Sequence, residues 1–167
     1  MGGIMKQPNG FTLLELIVVI AIAAVLSAVA IPNFIAYRSN QRLGASAREI
    51  LGAIKETRMR AVIEQRTAII TFNTTTNSYL AFFDDGSGSG GVAGNEIQDG
   101  TEATIVAGEL PGDIDMTGAS FGTAGAKNWF DMRGMASFNG SVTFANSNGL
   151  TRGVTVLQSG HARIIVP

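Results

Sequence analysis

The sequence predicts an α+β chain in which one long N-terminal helix packs on an antiparallel β-sheet head. Three observations predict it. Between Leu16 and Ile31 the only polar residue is Ser27, inside an apolar run from Phe11 to Ala36. Leu43, Ala47, Ile50, Leu51, Ile54 and Ala61 then recur at helical spacing, with Arg42, Arg48, Glu49, Glu56 and Arg60 on much of the other face. After Thr67 come short β-type runs, and 16 of the 21 glycines lie beyond Asp85, where they punctuate those runs.

The helix is expected to run from about Phe11 to about Gln65, roughly 80 Å at 1.5 Å per residue. Its first 26 residues reach about 39 Å, enough to cross a hydrocarbon core of roughly 30 Å. Pro32 lies within it; it removes the hydrogen bond to the Ala28 carbonyl and predicts a kink. Gly44 and Gly52 each weaken the second half by about 1 kcal/mol relative to Ala. The β runs are Thr67–Thr75, with Ala68, Ile70 and Phe72 on one face, and Ser78–Asp84, apolar on both faces and so expected to be covered twice. Thr75-Thr76-Asn77 joins them as a hairpin turn. Further strands are expected at Ala103–Ala107, Ser141–Ala145, Gly153–Gln158 and Ala162–Val166.

Composition removes whole classes of chemistry. There is no cysteine, hence no disulfide framework, thiolate metal site or cysteine nucleophile, and His161 is the single histidine. A net charge of −1 excludes a global electrostatic grip on nucleic acid or anionic lipid. The charge is unevenly spread. Residues 38–66 hold seven bases and three acids, residues 84–131 nine acids and only Lys127 as a base, and residues 132–167 three arginines and no acid.

The apolar N-terminus admits a cleaved signal peptide, with Ala28-Val29-Ala30 as its small-residue site, or a plain membrane anchor. Neither gives Glu15 a partner, and a carboxylate at mid-bilayer costs about 2.5–3.5 kcal/mol on insertion scales. Gly10-Phe11-Thr12-Leu13-Leu14-Glu15, followed at once by the apolar run, resembles the processing site of type IV pilins and type II secretion pseudopilins. The resemblance implies cleavage between Gly10 and Phe11 by a prepilin peptidase and N-methylation of Phe11. It further implies a retained helix whose Glu15 pairs with the Phe11 ammonium of its own chain or of a neighbour in a filament. Lys6 on one side and Arg38, Arg42 and Arg48 on the other leave orientation open by charge. The resemblance implies a single-pass protein of the bacterial inner membrane with its head in the periplasm. Its implied partners are other pilins or pseudopilins and an inner-membrane assembly platform.

Residues 56–72, with Arg58, Arg60 and Arg66 before a β run, resemble the start of the GspH/FimT-type head. Val142-Thr143-Phe144, Val154-Thr155-Val156 and Ser159-Gly160-His161-Ala162-Arg163 resemble its closing strands. The absence of cysteine sets the chain apart from major pilins that close a C-terminal loop with a disulfide, and favours a minor pilin or pseudopilin. The organisation expected is a leader at 1–10, a filament-core helix at 11–36, its amphipathic continuation at 37–66 and a head at 67–167. Within the head, about 86–133 reads as a Gly-rich acidic insertion. The function implied is a structural subunit of a pilus or pseudopilus, with no catalytic residue, cofactor or small-molecule substrate.

Other motifs weigh less. Gly86-Ser87-Gly88-Ser89-Gly90-Gly91 satisfies GxGxxG but precedes no helix signal, so it reads as a loop. The same stretch places Asp85, Ser87, Ser89, Gly90 and Glu96 at calcium-loop spacing, with serine a weak ligand, so calcium at Asp85 and Glu96 is a minor option. His161 without a nucleophile elbow reads as a turn residue. Gly160-His161-Ala162-Arg163 resembles a GRxR-like DNA-uptake segment of FimT-type pilins, with His161 in place of the first arginine. Together with Arg152 and Arg133, Arg163 gives a DNA-binding alternative, against a solvated basic loop.

Overall fold

The structure, a computed structural model, describes residues 11–166. Among the described residues one α-helix, α1 (Leu13–Glu64), is followed by eight strands and, between the fourth and fifth of them, a short 3-10 helix at Gly122–Ala124. The strands are β1 (Ala68–Asn73), β2 (Ser78–Phe83), β3 (Thr104–Glu109), β4 (Ile114–Phe121), β5 (Lys127–Phe130), β6 (Gly140–Asn146), β7 (Thr151–Val156) and β8 (Ala162–Ile165). The chain divides into two compact units at Tyr37 and Arg38.

The N-terminal unit is helical and its apolar side chains are exposed, from Leu13 through Ile35. The helix passes through Pro32 without interruption. Two of its polar residues bond back to the helix: Ser27 Oγ donates to the Ala23 carbonyl at 2.7 Å and Asn33 Nδ2 to the Val29 carbonyl at 3.3 Å. Back-bonding of this kind removes the polar groups' need for an outside partner.

In the second unit, the rest of α1 buries Leu43, Ala47, Ile50, Ala53, Ile54 and Ala61 in a common core with both sheets. Leu51, expected on the same stripe, packs at the margin. The strands form two four-stranded antiparallel sheets, β3-β2-β1-β5 and β4-β6-β7-β8, where one sheet was expected. Polar contacts fix the helix to them. Glu49 accepts from the Tyr79 hydroxyl at 2.9 Å, Arg42 pairs with Asp113 at 2.9 Å, and Arg58 Nε donates to the Gly134 carbonyl at 2.8 Å. Burial, then the Glu49 carboxylate, push the Tyr79 phenol above its ordinary range, so it remains a donor.

The β1–β2 hairpin forms where expected, because Asn73 Oδ1 accepts from the N–H groups of Thr75 and Thr76 and Asn77 takes φ 52°. Alternation sends Ala68, Ile70 and Phe72 into the common core. It turns Ile69 outward, in register with Phe82 of β2 and Trp129 of β5. Ile69 and Phe82 are nonetheless buried. The acidic stretch lies beside this face: Gly94 and Glu96 line one cavity of about 300 Å³ together with Thr67, Ile69, Asp84 and Trp129. On β2, Tyr79, Ala81 and Phe83 enter the common core and Phe82 is buried on the other face.

The stretch 86–133, read as an insertion, also holds β4 and β5, which complete the two sheets. Sequence reading missed both. In β4, Ile114 and Met116 alternate with exposed Asp115 and Thr117, but a register shift between Met116 and Gly118 breaks the period before Phe121. β5 has only four residues, and one of its two buried positions is Asn128.

Candidate functional site

The start of α1 is built by Thr12. Its Oγ1 accepts from the Glu15 N–H at 3.2 Å, as an N-cap does, and Glu15 occupies the first turn. Thr12-Leu13-Leu14-Glu15 has the S/T-x-x-E spacing of a capping box, a signal that sequence reading had available and did not use. Glu15 thus has a local reason to be where it is: the positive end of the helix dipole favours an acid there. Phe11 precedes the cap and is exposed. The leader 1–10, including Gly10, lies outside the described residues. Around this start the helix holds an 18-residue window of mean hydropathy 2.8, none of it buried.

The acidic loop is held by its own carboxylates. Asp84 is buried and accepts from the N–H groups of Gly94 (2.6 Å) and Glu96 (2.7 Å). Glu102, also buried, accepts from Gly86 (2.8 Å) and Asp99 (3.1 Å), and Asp99 accepts from Val92 at 3.0 Å. Asp85 pairs with Arg66 and Glu96 with Lys127. The two carboxylates proposed for calcium therefore face different bases. Among the described residues, no three His, Cys, Asp or Glu side chains gather as metal ligands. Gly86, Gly88 and Gly90 take positive φ, and turns rather than a helix follow the GxGxxG run.

The basic C-terminal residues do not share one face. Thr155 lies opposite Arg163, so alternation places both away from the core that Val154 and Val156 enter. Arg152 has the parity of Val154 and Val156 and belongs to the opposite face. His161 is exposed in the turn before β8, where its carbonyl accepts from the Leu157 N–H at 2.9 Å. Arg133 is paired with Asp131 at 3.1 Å. The Met135 N–H, and with it Arg133, holds the Asp131 carboxyl below its ordinary range against the opposing effect of desolvation.

Comparison with known proteins matches this geometry. The prokaryotic N-terminal methylation motif covers residues 5–31, and the family described as type II transport protein GspH covers residues 46–160. Two fimbrial proteins of Pseudomonas aeruginosa are 31% and 30% identical over 102 residues. Each match takes in 58% of this chain and 66% of the relative, so the chain spans just under two thirds of their length. The minor pseudopilin EpsH of the Vibrio cholerae type 2 secretion system superposes with TM-score 0.56 and 10% identity, over 75% of this chain and 98% of that one. The type IV minor pilin FimU of Pseudomonas aeruginosa gives 0.55 and 14%, over 77% and 92%. These two likenesses concern the fold. With the GspH match over most of its length and the methylation motif at its start, the chain belongs to the GspH family of pilin-like structural subunits, which are not enzymes.

Proposed function

We propose that this chain is a minor subunit of a type IV pilus or type II secretion pseudopilus. In this reading a prepilin peptidase cuts between Gly10 and Phe11, and Phe11 is then N-methylated. Residues 11–36 anchor the protein in the inner membrane and later form filament core, residues 37–66 continue the helix onto the head, and the head stands in the periplasm. The partners are kindred subunits and an inner-membrane assembly platform. The observation that carries the reading is the capped helix start: apolar side chains exposed from Leu13 through Ile35, behind a single first-turn acid, Glu15. A helix with that much exposed apolar surface needs a bilayer or other helices around it. The Phe11 ammonium created by cleavage lies one helical turn from Glu15, within its own chain or a neighbour's, and an ion pair there sets register. Methylation keeps the positive charge.

Glu15→Gln tests this. It leaves the Thr12 cap and the side-chain shape in place and removes only the charge. The expected result is at least a tenfold loss of the subunit from sheared filament fractions, with cleavage at Phe11 and the melting temperature of the head unchanged. Undiminished incorporation overturns the reading, as does N-terminal sequencing that begins at Ile31. The DNA-uptake alternative, through Arg152, His161 and Arg163, draws less support because strand alternation puts the two arginines on opposite faces.

A further inference from the structure

The outward face of the β1 sheet gathers groups that the subunit reading does not use. Strand pairing sets Ile69 opposite Trp129 and Thr71 opposite Lys127, so these four side chains share one face. Phe138 holds the Trp129 ring edge-to-face, with centroids 5.3 Å apart and planes at 86°. Ile69 and Trp129 give the cavity of about 300 Å³ its apolar wall. Thr67 adds a hydroxyl that no hydrogen bond among the described residues takes up. Gly94 and Glu96 line it from the acidic loop, and Asp84 from the end of β2. The buried Asp84 carboxylate accepts from the N–H groups of Gly94 and Glu96, so it lies against two other lining residues. Glu96 holds its place at φ 61°, a conformation rare outside glycine.

The lining residues are neutral or acidic, and Lys127 reaches in from β5 to pair with Glu96. An aromatic ring beside two carboxylates suits an organic cation. The ring face attracts a positive charge within about 6 Å of its centre, the carboxylates oppose that charge, and the apolar wall takes an alkyl stem. An anion would meet two like charges. We propose that this cavity binds a primary ammonium or guanidinium group on an alkyl stem, with the stem on Ile69 and Trp129 and with Asp84 and Glu96 as counter-charges. Lys127 already presents such a group to Glu96, so it competes with the ligand. The group arrives on a lysine or arginine side chain of another protein or on a free amine. This inference stands apart from the subunit reading and survives or fails without it.

Trp129 is the chain's single tryptophan, so its fluorescence reports on this cavity directly. Full-length protein in detergent is titrated with acetyl-arginine amide, acetyl-norleucine amide and N-acetylglucosamine. The arginine probe is expected to change the emission saturably, and the two uncharged probes to bind at least tenfold more weakly. Glu96→Gln keeps the N–H that Asp84 holds and should weaken the arginine probe at least threefold. Lys127→Gln removes the competing ammonium and should strengthen it at least threefold. Glu109→Gln, at an exposed acid ending β3, should leave the affinity unchanged. Equal melting temperatures show that the variants fold. Putrescine separates the sources: tighter binding of the diamine supports a free amine, and tighter binding of the capped arginine supports a protein side chain. Unmoved Trp129 emission, equal binding of an uncharged probe, or a Lys127→Gln variant that binds no more tightly overturns the proposal.

Discussion

The two halves of α1 are one helix with opposite fates. Before Tyr37 its Leu, Ile and Val side chains are exposed; after Arg38, Leu43, Ile50 and Ile54 are almost wholly buried. Helical propensity does not separate them, since Ile20 and Ile50 sit in the same backbone conformation. What differs is the burial. The second half packs on two sheets of its own chain, while the apolar side chains of the first half are exposed, a surface of the kind that lipid or other helices cover.

Substitution can sharpen that contrast. Ile50→Ala empties a site in the common core and should cost the head about 2–5 kcal/mol in denaturant melts. Ile20→Ala, the same chemistry in the first half, should leave the head's melting temperature unmoved; equal losses would mean that both halves share one folding unit. Gly160→Ala should cost less, about 1–3 kcal/mol, because Gly160 takes φ 76° and a Cβ there would strike the Gly134 carbonyl. Arg58, bonded to that carbonyl, should loosen with it, which hydrogen exchange around residues 131–136 would report. Ser46→Ala should go the other way. Its Oγ is buried without a hydrogen-bond partner, and removing an unsatisfied hydroxyl should stabilise the head by up to about 1 kcal/mol. The smallest effect concerns Asp131. Its folded pKa is depressed, so its contribution is present above the ordinary carboxylate range and is lost as pH falls through the folded value. Acid should therefore loosen the Asp131–Met135 turn, and Asp131→Asn should abolish that pH dependence in hydrogen exchange.

Regular periodicity made much of the fold readable. The apolar stripe of α1 and the alternation of β1, β6 and β7 each report a surface that meets one neighbour, and the apolar run of β2 on both faces reports a strand buried on both. β4 and β5 were hidden because a bulge resets the period in one and a buried, hydrogen-bonded Asn128 replaces an apolar residue in the other. The acidic stretch read as a plain insertion because its purpose is non-local. Asp84 and Glu102 look like surface charges until backbone N–H groups 10 to 16 residues away in sequence close on them. At the candidate site, Glu15 stood out by its charge in an apolar run, while Thr12 went unused although its spacing to Glu15 announces a cap. The basic C-terminus shows the reverse: Arg152 and Arg163 look like one cluster in sequence, and strand alternation separates them.

The sequence by itself determined the long helix, its apolar first half, the site of its start and most of the strands, because each depends on residues within one or two turns or on a local period. Only the tertiary structure decided that the strands make two sheets and that the acidic loop lies beside the outward row that holds Ile69 and Trp129. Those outcomes depend on which distant backbone groups find one another, and pairing between remote segments leaves no period in either of them.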